Sequence, residues 1–583
     1  MMNTRKKIRL GDLLVDNKLI SEGQLEEALK DQKKSGRKLG RILIDNGYID
    51  ENQMLEVLSK QLKIPFIDLQ HFRFKAEIVK LIPEIQARRF RVIALSSDAN
   101  GILIGMADPT DIFAYDELGR LLNTTVRTAV VRESDLLKTI DLVYRKTDEI
   151  SGFAEQLSDE LAESDIDLAA LVSTADVTDA PVVKLLQSLF EDAVQIKTSD
   201  IHIEPDESVL RIRQRVDGVL QEHIMEETRI ASALVLRLKL MAGLDISEKR
   251  MPQDGRFSIK VKEHNIDVRL STMPVAYGES VVMRLLDQTG GTLDLSALGM
   301  PATLLNRFET LVHRPHGMIL VTGPTGSGKT TTLYAALKTL NKPENKIITV
   351  EDPVEYRLPR VNQVQVNTEI GLSFARVLRS ALRQDPDIIL IGEMRDEETS
   401  EIALRAAMTG HMVLSTLHTN DAISTVNRLL DMGIKNYLLA SALHGILAQR
   451  LVRRICPSCT QPAELQANEK SWLKEYGNES AFNTTYKKGP GCAHCNYTGY
   501  QGRIGVYELL EFDHKLTETL VMSDGSAFAK MAKNAKGYKP LNMVALQYAI
   551  EGITTMEEVL RISADIDVFL EDDLIQTSEG TVV

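Results

Sequence analysis

Gly323-Pro-Thr-Gly-Ser-Gly328-Lys329-Thr330 sets three glycines, a lysine and a hydroxyl inside one short stretch. Glycines let consecutive backbone N–H groups curl around phosphate oxygens, a lysine neutralises the β and γ oxygens, and a threonine hydroxyl ligates Mg²⁺. The apolar run Met318–Val321 leads into this stretch and a helix-forming run begins at Thr331, so it reads as strand, loop, helix. Gly323, Pro324, Thr325, Gly326, Ser327, Gly328, Lys329, Thr330 and Thr331 are the candidate ATP ligands, with Thr330 also the candidate Mg²⁺ ligand. A plain glycine-rich turn is the alternative, and the flanking strand and helix argue against it.

Three further apolar runs end in polar residues. Ile347–Val350 ends in Glu351-Asp-Pro-Val-Glu355, Ile388–Ile391 in Gly392-Glu393-Met-Arg395, and Val413–Leu417 in His418-Thr-Asn-Asp421. In an open parallel sheet, residues just past the carboxyl ends of neighbouring strands converge on one crevice. Two carboxylates and a histidine there suit nucleotide hydrolysis: one acid activates water, another holds the Mg²⁺ shell, and a donor senses the γ-phosphate. Glu351 is assigned to water activation with Glu355 in reserve, Glu393 to the water and Mg²⁺ shell, and His418 to the phosphate. Each carboxylate taken alone would read as a solvated loop charge.

The four cysteines fall as Cys456-x-x-Cys459 and Cys492-x-x-Cys495. Paired CxxC turns in a reducing compartment read as a metal site, and four thiolates suit Zn²⁺ in a closed structural centre. His494 could compete as a ligand, but a complete cysteine set leaves it a bystander.

These groups must be carried by several domains, since 583 residues exceed one core. A net charge of −13 argues against a nucleic-acid polymer as partner, which needs a basic surface. No apolar stretch is long enough to span a membrane, and the charged N-terminus is not followed by the apolar core of a secretory signal, so a cytoplasmic location is expected. The expected organisation is a helical repeat module at 1–70, a small α/β subdomain at 71–146, an acidic linker at 147–180, flexible but with room for one amphipathic helix, an α/β domain at 181–292, and an α/β ATPase domain at 293–583 with the tetracysteine insert near 450–505.

The repeat lies at 9–61. Arg9-Leu10-Gly11-x-x-Leu14 runs to Gln32, and Lys38-Leu39-Gly40-x-x-Leu43 runs to Gln61, at a constant offset of 29. Each copy reads as two short helices, the second capped by Ser21 or Asp50 and carrying Leu25 and Leu29, or Met54 and Leu58.

The P-loop, Thr349-Val-Glu-Asp-Pro-Val-Glu-Tyr, Leu382-Arg-Gln-Asp-Pro-Asp and Ser415-Thr-Leu-His-Thr-Asn-Asp together resemble the Walker A, Asp, Walker B and His boxes of the secretion ATPase superfamily. Ser199-Asp-Ile-His-Ile-Glu-Pro205, Gln253-Asp-Gly-Arg256 and Gly278-Glu279 match further boxes, so the resemblance covers about 180 to 560. It implies a homohexamer of RecA-like P-loop domains, each preceded by a Per-ARNT-Sim-like α/β domain. It also implies that Arg269 and Arg284 reach a neighbouring subunit's nucleotide and stabilise transition-state charge. Bare physics makes each a surface ion pair. Assembly and secretion members carry a tetracysteine insert of this kind, which favours extension over retraction.

The N-terminal repeat resembles the paired motif that binds cyclic di-GMP in MSHA-type pilus assembly ATPases. Arg9 and Lys38 would then meet phosphate or stack on guanine, and Gly11 and Gly40 would permit close backbone approach. Gln32 and Gln61 would bond a base edge, while Leu10, Leu14, Leu25, Leu29, Leu39, Leu43 and Leu58 would bed the purines. The alternative is that these leucines are only the core of a helical adaptor gripping a membrane partner. Asp108 could add a ligand contact, although an Asp before Pro109 reads first as a turn former.

The combined expectation is a hexameric ATPase that drives type IV, MSHA-type pilus assembly through an inner-membrane platform protein, with cyclic di-GMP gating it. Type II secretion is the near rival. A DNA-translocating helicase and a nucleotide sensor without turnover are the rivals from other classes.

Overall fold

The computed structural model describes residues 14–15, 19–35, 42–43, 46–50, 55, 59–60, 62–72, 74–98, 101–109, 111–144, 147–163, 181–289, 294–477, 479–522 and 525–564. Arg9, Leu10, Gly11, Lys38, Leu39, Gly40, Leu58 and Gln61 of the expected cyclic di-GMP set lie outside them. The chain forms two compact units. The first comprises Met1–Lys197 with Cys456–Thr460 and Gly489–Tyr500; the second comprises Thr198–Ile455, Gln461–Lys488 and Gln501–Val583.

In the first unit a helix, Glu22–Ser35, begins after Ser21. The Ser21 hydroxyl accepts the Gln24 N–H at 3.3 Å, and the Gln24 side chain accepts the Ser21 N–H at 2.8 Å. That reciprocal pair satisfies two of the donors a helix start leaves open. Leu14, Ile20, Ala28, Ile42, Leu43 and Ile49 pack together beneath it. A three-stranded sheet follows, β1 (Val92–Asp98), β2 (Gly101–Met106) and β3 (Val126–Val130), with β2 in the middle. Helices Ile112–Leu122 and Glu133–Val143 bury Leu118, Leu136 and Ile140 in the core of this sheet.

The acidic segment begins with a helix, Thr147–Glu163, where the sequence left room for an amphipathic one. Its buried Ile150, Ala154 and Leu157 recur at helical spacing and the helix packs against Pro181–Gln195, so an apolar stripe overrides the acidic composition.

In the second unit, β4 (Asp200–Pro205), β5 (Leu210–Val216), β6 (Val219–Met225), β7 (Gln253–Val261), β8 (His264–Val275) and β9 (Gly278–Asp287) form one sheet in the order β6-β5-β4-β9-β8-β7. Alternating burial along β5 and β7 marks one face packed and one solvated. Helix Ile230–Met241 lies on it, and its buried Lys239 ammonium pairs with Glu279 at 2.5 Å.

A seven-stranded sheet follows, built from β10 (Gly317–Thr322), β11 (Ile347–Glu351), β12 (Val361–Gln365), β13 (Ile388–Ile391), β14 (Met412–Leu417), β15 (Leu443–Ile455) and β18 (Tyr500–Glu511); between the last two, β16 (Gln461–Pro462) and β17 (Lys487–Lys488) pair separately. The order is β12-β11-β13-β14-β10-β15-β18, and β10 through β15 pair in parallel. Along β10, Ile319 and Val321 join a cluster with Leu333 and Leu337 of helix Lys329–Leu340. Met318 and Leu320 join another, with Leu404 of helix Glu397–Met408 and Val426 of helix Ala422–Asp431. Burial on both faces turns β10 into a continuous apolar run and fixes the loop that leaves its carboxyl end. Among the described residues, no helix is long and apolar enough to cross a membrane.

Candidate functional site

Because β11, β13, β14 and β10 are neighbours, their carboxyl ends line up, with Ile391 opposite Ser415 and Thr322 opposite Leu417. The Ser415 hydroxyl donates to the Ile391 carbonyl at 2.8 Å and the Thr416 hydroxyl to that of Gly392 at 2.6 Å, which locks the ends of β13 and β14 together.

The loop Gly323–Gly328 turns through left-handed backbone at Gly326 and Gly328, with Gly323 also at positive φ. A Cβ at Gly323 would come within 2.4 Å of the Gln449 carbonyl, so no larger residue fits. Lys329 is buried at the start of its helix, and its ammonium donates to the Gly323 and Pro324 carbonyls at 2.7 and 3.0 Å. Burial, and then the Arg450 charge, pull its pKa down to about 8 against the opposing pull of Glu393. Thr330 and Thr331 are exposed at the helix start.

Glu393 stands between a guanidinium and an imidazole. It pairs with Arg395, and its Oε2 lies 3.6 Å from His418 Nε2. Desolvation, followed by the Lys329 charge, holds His418 below the usual histidine range, so the ring is neutral and can donate one N–H. Glu351 is drawn into a different environment. Its buried carboxylate accepts from the Tyr334 and Thr349 hydroxyls, and from the Gln363 side chain at 3.2 Å. Glu355 pairs with Arg269, and Arg284 Nε donates to Asp200 at 3.1 Å. The structure therefore gathers Lys329, Glu393 and His418 on one side and Glu351, Glu355 and Arg269 on the other.

Gln449 and Arg450 of β15 were missed from sequence. The Gln449 amide donates to the Ser327 carbonyl and accepts from the Thr332 hydroxyl, both at 2.7 Å, bracing the phosphate loop from behind. Buried Arg450 donates to Asn420 at 2.9 Å and so ties that strand to the turn after His418. Neither has a local signature, because the partners lie 122 and 30 residues away.

The four cysteines are buried together, with their sulfurs all within 4.8 Å of one another. The separations include 3.8 Å for Cys456–Cys492, 3.9 Å for Cys459–Cys495 and 3.7 Å for Cys492–Cys495. Sulfurs at about 2.3 Å from one tetrahedral Zn²⁺ would stand roughly 3.8 Å apart, so the cage fits such an ion and excludes a disulfide. Cys495 Sγ also accepts the Cys492 and Gly499 N–H groups at 3.2 Å, as a thiolate ligand would. His494 is outside the sulfur cluster; its ring packs edge-on against Phe74, with centroids 5.1 Å apart.

Of the N-terminal candidates that are described, Leu14 and Leu43 lie fully inside the small core, whereas Leu25 and Gln32 are half-buried and Leu29 is 39% exposed. The Asp108 carbonyl accepts the Asp111 N–H at 3.2 Å in the turn around Pro109.

A phosphate loop at the carboxyl edge of a mainly parallel sheet, with acid and histidine on the adjoining strands, defines a RecA-like P-loop ATPase. The chain belongs to the Type II/IV secretion system protein family, which it matches over residues 175–561, and it carries an MshEN domain matched over 62–150. It is 43% identical over 562 residues to the Type IV pilus assembly ATPase PilB of Myxococcus xanthus, covering 95% of this chain and 98% of that one. It is 42% identical over 497 residues to the Type II secretion system protein E of Dickeya dadantii, covering 84% and 98%. A solved structure described as MshE with cdg is 40% identical to it and covers 24% of this chain and all of that one, with a TM-score of 0.23.

Proposed function

We propose that this ATPase is a homohexameric motor for assembly of a type IV pilus of MSHA type, gated by cyclic di-GMP. The observation that carries the pilus reading is the reach of the likeness: the pilus assembly relative is matched over 95% of this chain and 98% of its own length. Type II secretion is the second reading, favoured by relatives of that system at 42% identity over 497 residues.

In the proposed cycle the Gly323–Gly328 backbone and Lys329 would hold the ATP phosphates, Thr330 would ligate Mg²⁺, and His418 would donate to the γ-phosphate. Glu393 would order water and the Mg²⁺ shell. The expected base, Glu351, is held by three donors and would have to exchange one of them for water. Glu393 lies within reach of the Lys329 charge and of His418, beside the phosphate loop, and its Arg395 partner is exposed, so its position makes it the better-placed of the two to meet water. Arg269 and Arg284 would act on a neighbouring subunit's nucleotide. Cys456, Cys459, Cys492 and Cys495 would hold one Zn²⁺ as a structural clip. The repeat carrying Arg9, Gly11, Gln32, Lys38, Gly40 and Gln61 supports the dinucleotide as regulator, and the MshEN match, which covers 62–150 and of the candidate ligands contains Asp108, supports it from the adjoining subdomain. The motor would work at the cytoplasmic face of the inner membrane, through a platform protein.

Calorimetric titration of the full chain with cyclic di-GMP, beside Arg9→Ala, tests the regulator: heat in the wild type alone supports it. Deleting the gene separates the machines. Loss of surface filaments supports the pilus reading, and loss of a secreted protein with filaments intact overturns it.

A further inference from the structure

Glu508, on β18, is a fully buried carboxylate with two helix starts aimed at it. Its Oε1 accepts the N–H of Ala422 at 2.8 Å, and its Oε2 accepts the N–H of Leu541 at 3.0 Å. Ala422 is the first residue of the helix that follows the His418–Asp421 turn, and Leu541 is the first of helix Leu541–Ile550. The Tyr538 hydroxyl donates to the same carboxylate. Burial, with Asp421 nearby, pushes the Glu508 carboxyl up to about 7. A buried acid is costly unless its lone pairs are satisfied, and helix N-termini are among the few neutral groups that satisfy them well.

The first helix does not need this residue as its cap, since Asp421 already accepts the Ser424 N–H at 2.6 Å; the second has Pro540 at its N-cap, which offers no side-chain acceptor, so Glu508 caps it from across the fold. What the carboxylate adds is a rigid link between segments 119 residues apart in sequence, the turn that carries His418 and the C-terminal helices. We propose that Glu508 is a positioning residue that couples the His418–Asp421 turn to helix Leu541–Ile550, so that a shift of the turn on nucleotide binding is passed to the C-terminal helices. This rests on the reading of His418 as the γ-phosphate donor.

The test is amide hydrogen exchange on the full-length protein with and without Mg²⁺ and a non-hydrolysable ATP analogue, for wild type and Glu508→Gln. The amide of glutamine keeps the size but turns one acceptor into a donor facing an N–H. In wild type, exchange is expected to change at both 418–431 and 541–550; in Glu508→Gln only the first should respond. Alongside, kcat for ATP should fall about tenfold with KM changed less than about twofold, as expected for loss of one hydrogen bond to a charged group. A residue that merely stabilises the fold would lower the melting temperature and leave the exchange pattern coupled. If Glu508→Gln does not fold, Ala422→Pro serves. Proline suits a first helical position and Asp421 is already extended, at φ −144° and ψ 174°, so the change deletes one arm of the link. An analogue-induced response at 541–550 that survives in the variant overturns the coupling. No response at 418–431 in wild type overturns the reading of His418, and the coupling falls with it.

Discussion

Arg269 and Arg284 are direct cross-strand partners in the antiparallel register of β8 and β9. Like charges so placed repel, and here each guanidinium is matched by a carboxylate of its own chain, Glu355 for Arg269 and Asp200 for Arg284. The arrangement keeps two cations together while leaving Arg284 57% exposed. If both serve a neighbouring subunit, Arg269→Ala and Lys329→Ala proteins should each be inactive and should regain turnover when mixed and reassembled. Activity that stays absent at every mixing ratio would count against a shared site.

Glu393 and Glu351 should separate under isosteric substitution. Glu393→Gln is expected to lower kcat by about 10² to 10⁴, the range for a group that handles a proton or orders attacking water. Glu351→Gln turns one of two buried acceptors into a donor, facing either the Tyr334 or the Thr349 hydroxyl, so it should also lower the melting temperature. Steady-state turnover with a thermal melt on each variant checks this, and a silent Glu393→Gln would refute the assignment.

The lowered pKa of Lys329 predicts the pH dependence of binding. Phosphate charge favours the ammonium, so the bound-state pKa lies above the value of about 8 in this structure. Binding ATP then takes up a proton between the two values. Affinity should be flat below about pH 8 and weaken as pH rises above it, by up to about tenfold per unit. Calorimetry in buffers of different ionisation heat at pH 8.5 would read that proton directly.

The Lys239–Glu279 pair gives a stability prediction away from the site. Lys239 is buried and the Glu279 side chain is only 9% exposed, so Lys239→Met leaves an uncompensated carboxylate and should cost about 3–5 kcal/mol. Replacing both by apolar residues should cost far less. Denaturant midpoints of the single and double variants would decide it.

Metal analysis of the purified chain should find one zinc per polypeptide, and Cys495→Ser should lose it. A strong chelator should loosen 456–460 and 489–500, followed by limited proteolysis. Full resistance of the chelated protein would mean that hydrogen bonds alone hold those turns.

Much of the phosphate site was legible because its parts are local. A strand, a glycine-rich loop, Lys329 and a helix occupy consecutive positions, and Glu393 and His418 each follow an apolar run by one or two residues. The cysteine pairs were legible for the same reason, since CxxC geometry is set within one turn. The acidic segment was legible only in part, because charge dominates its composition while Ile150, Ala154 and Leu157 alone decide that its first half packs as a helix. Sequence alone determined which residue types could meet phosphate and metal. Tertiary structure decided which of them meet: Gln449 behind the loop, Glu351 among three donors, Arg269 on Glu355, and Glu508 between two helix starts. Those relations join strands and helices far apart in sequence, where the register of a sheet and the burial of a charge set the partner, and neither leaves a pattern in neighbouring residues.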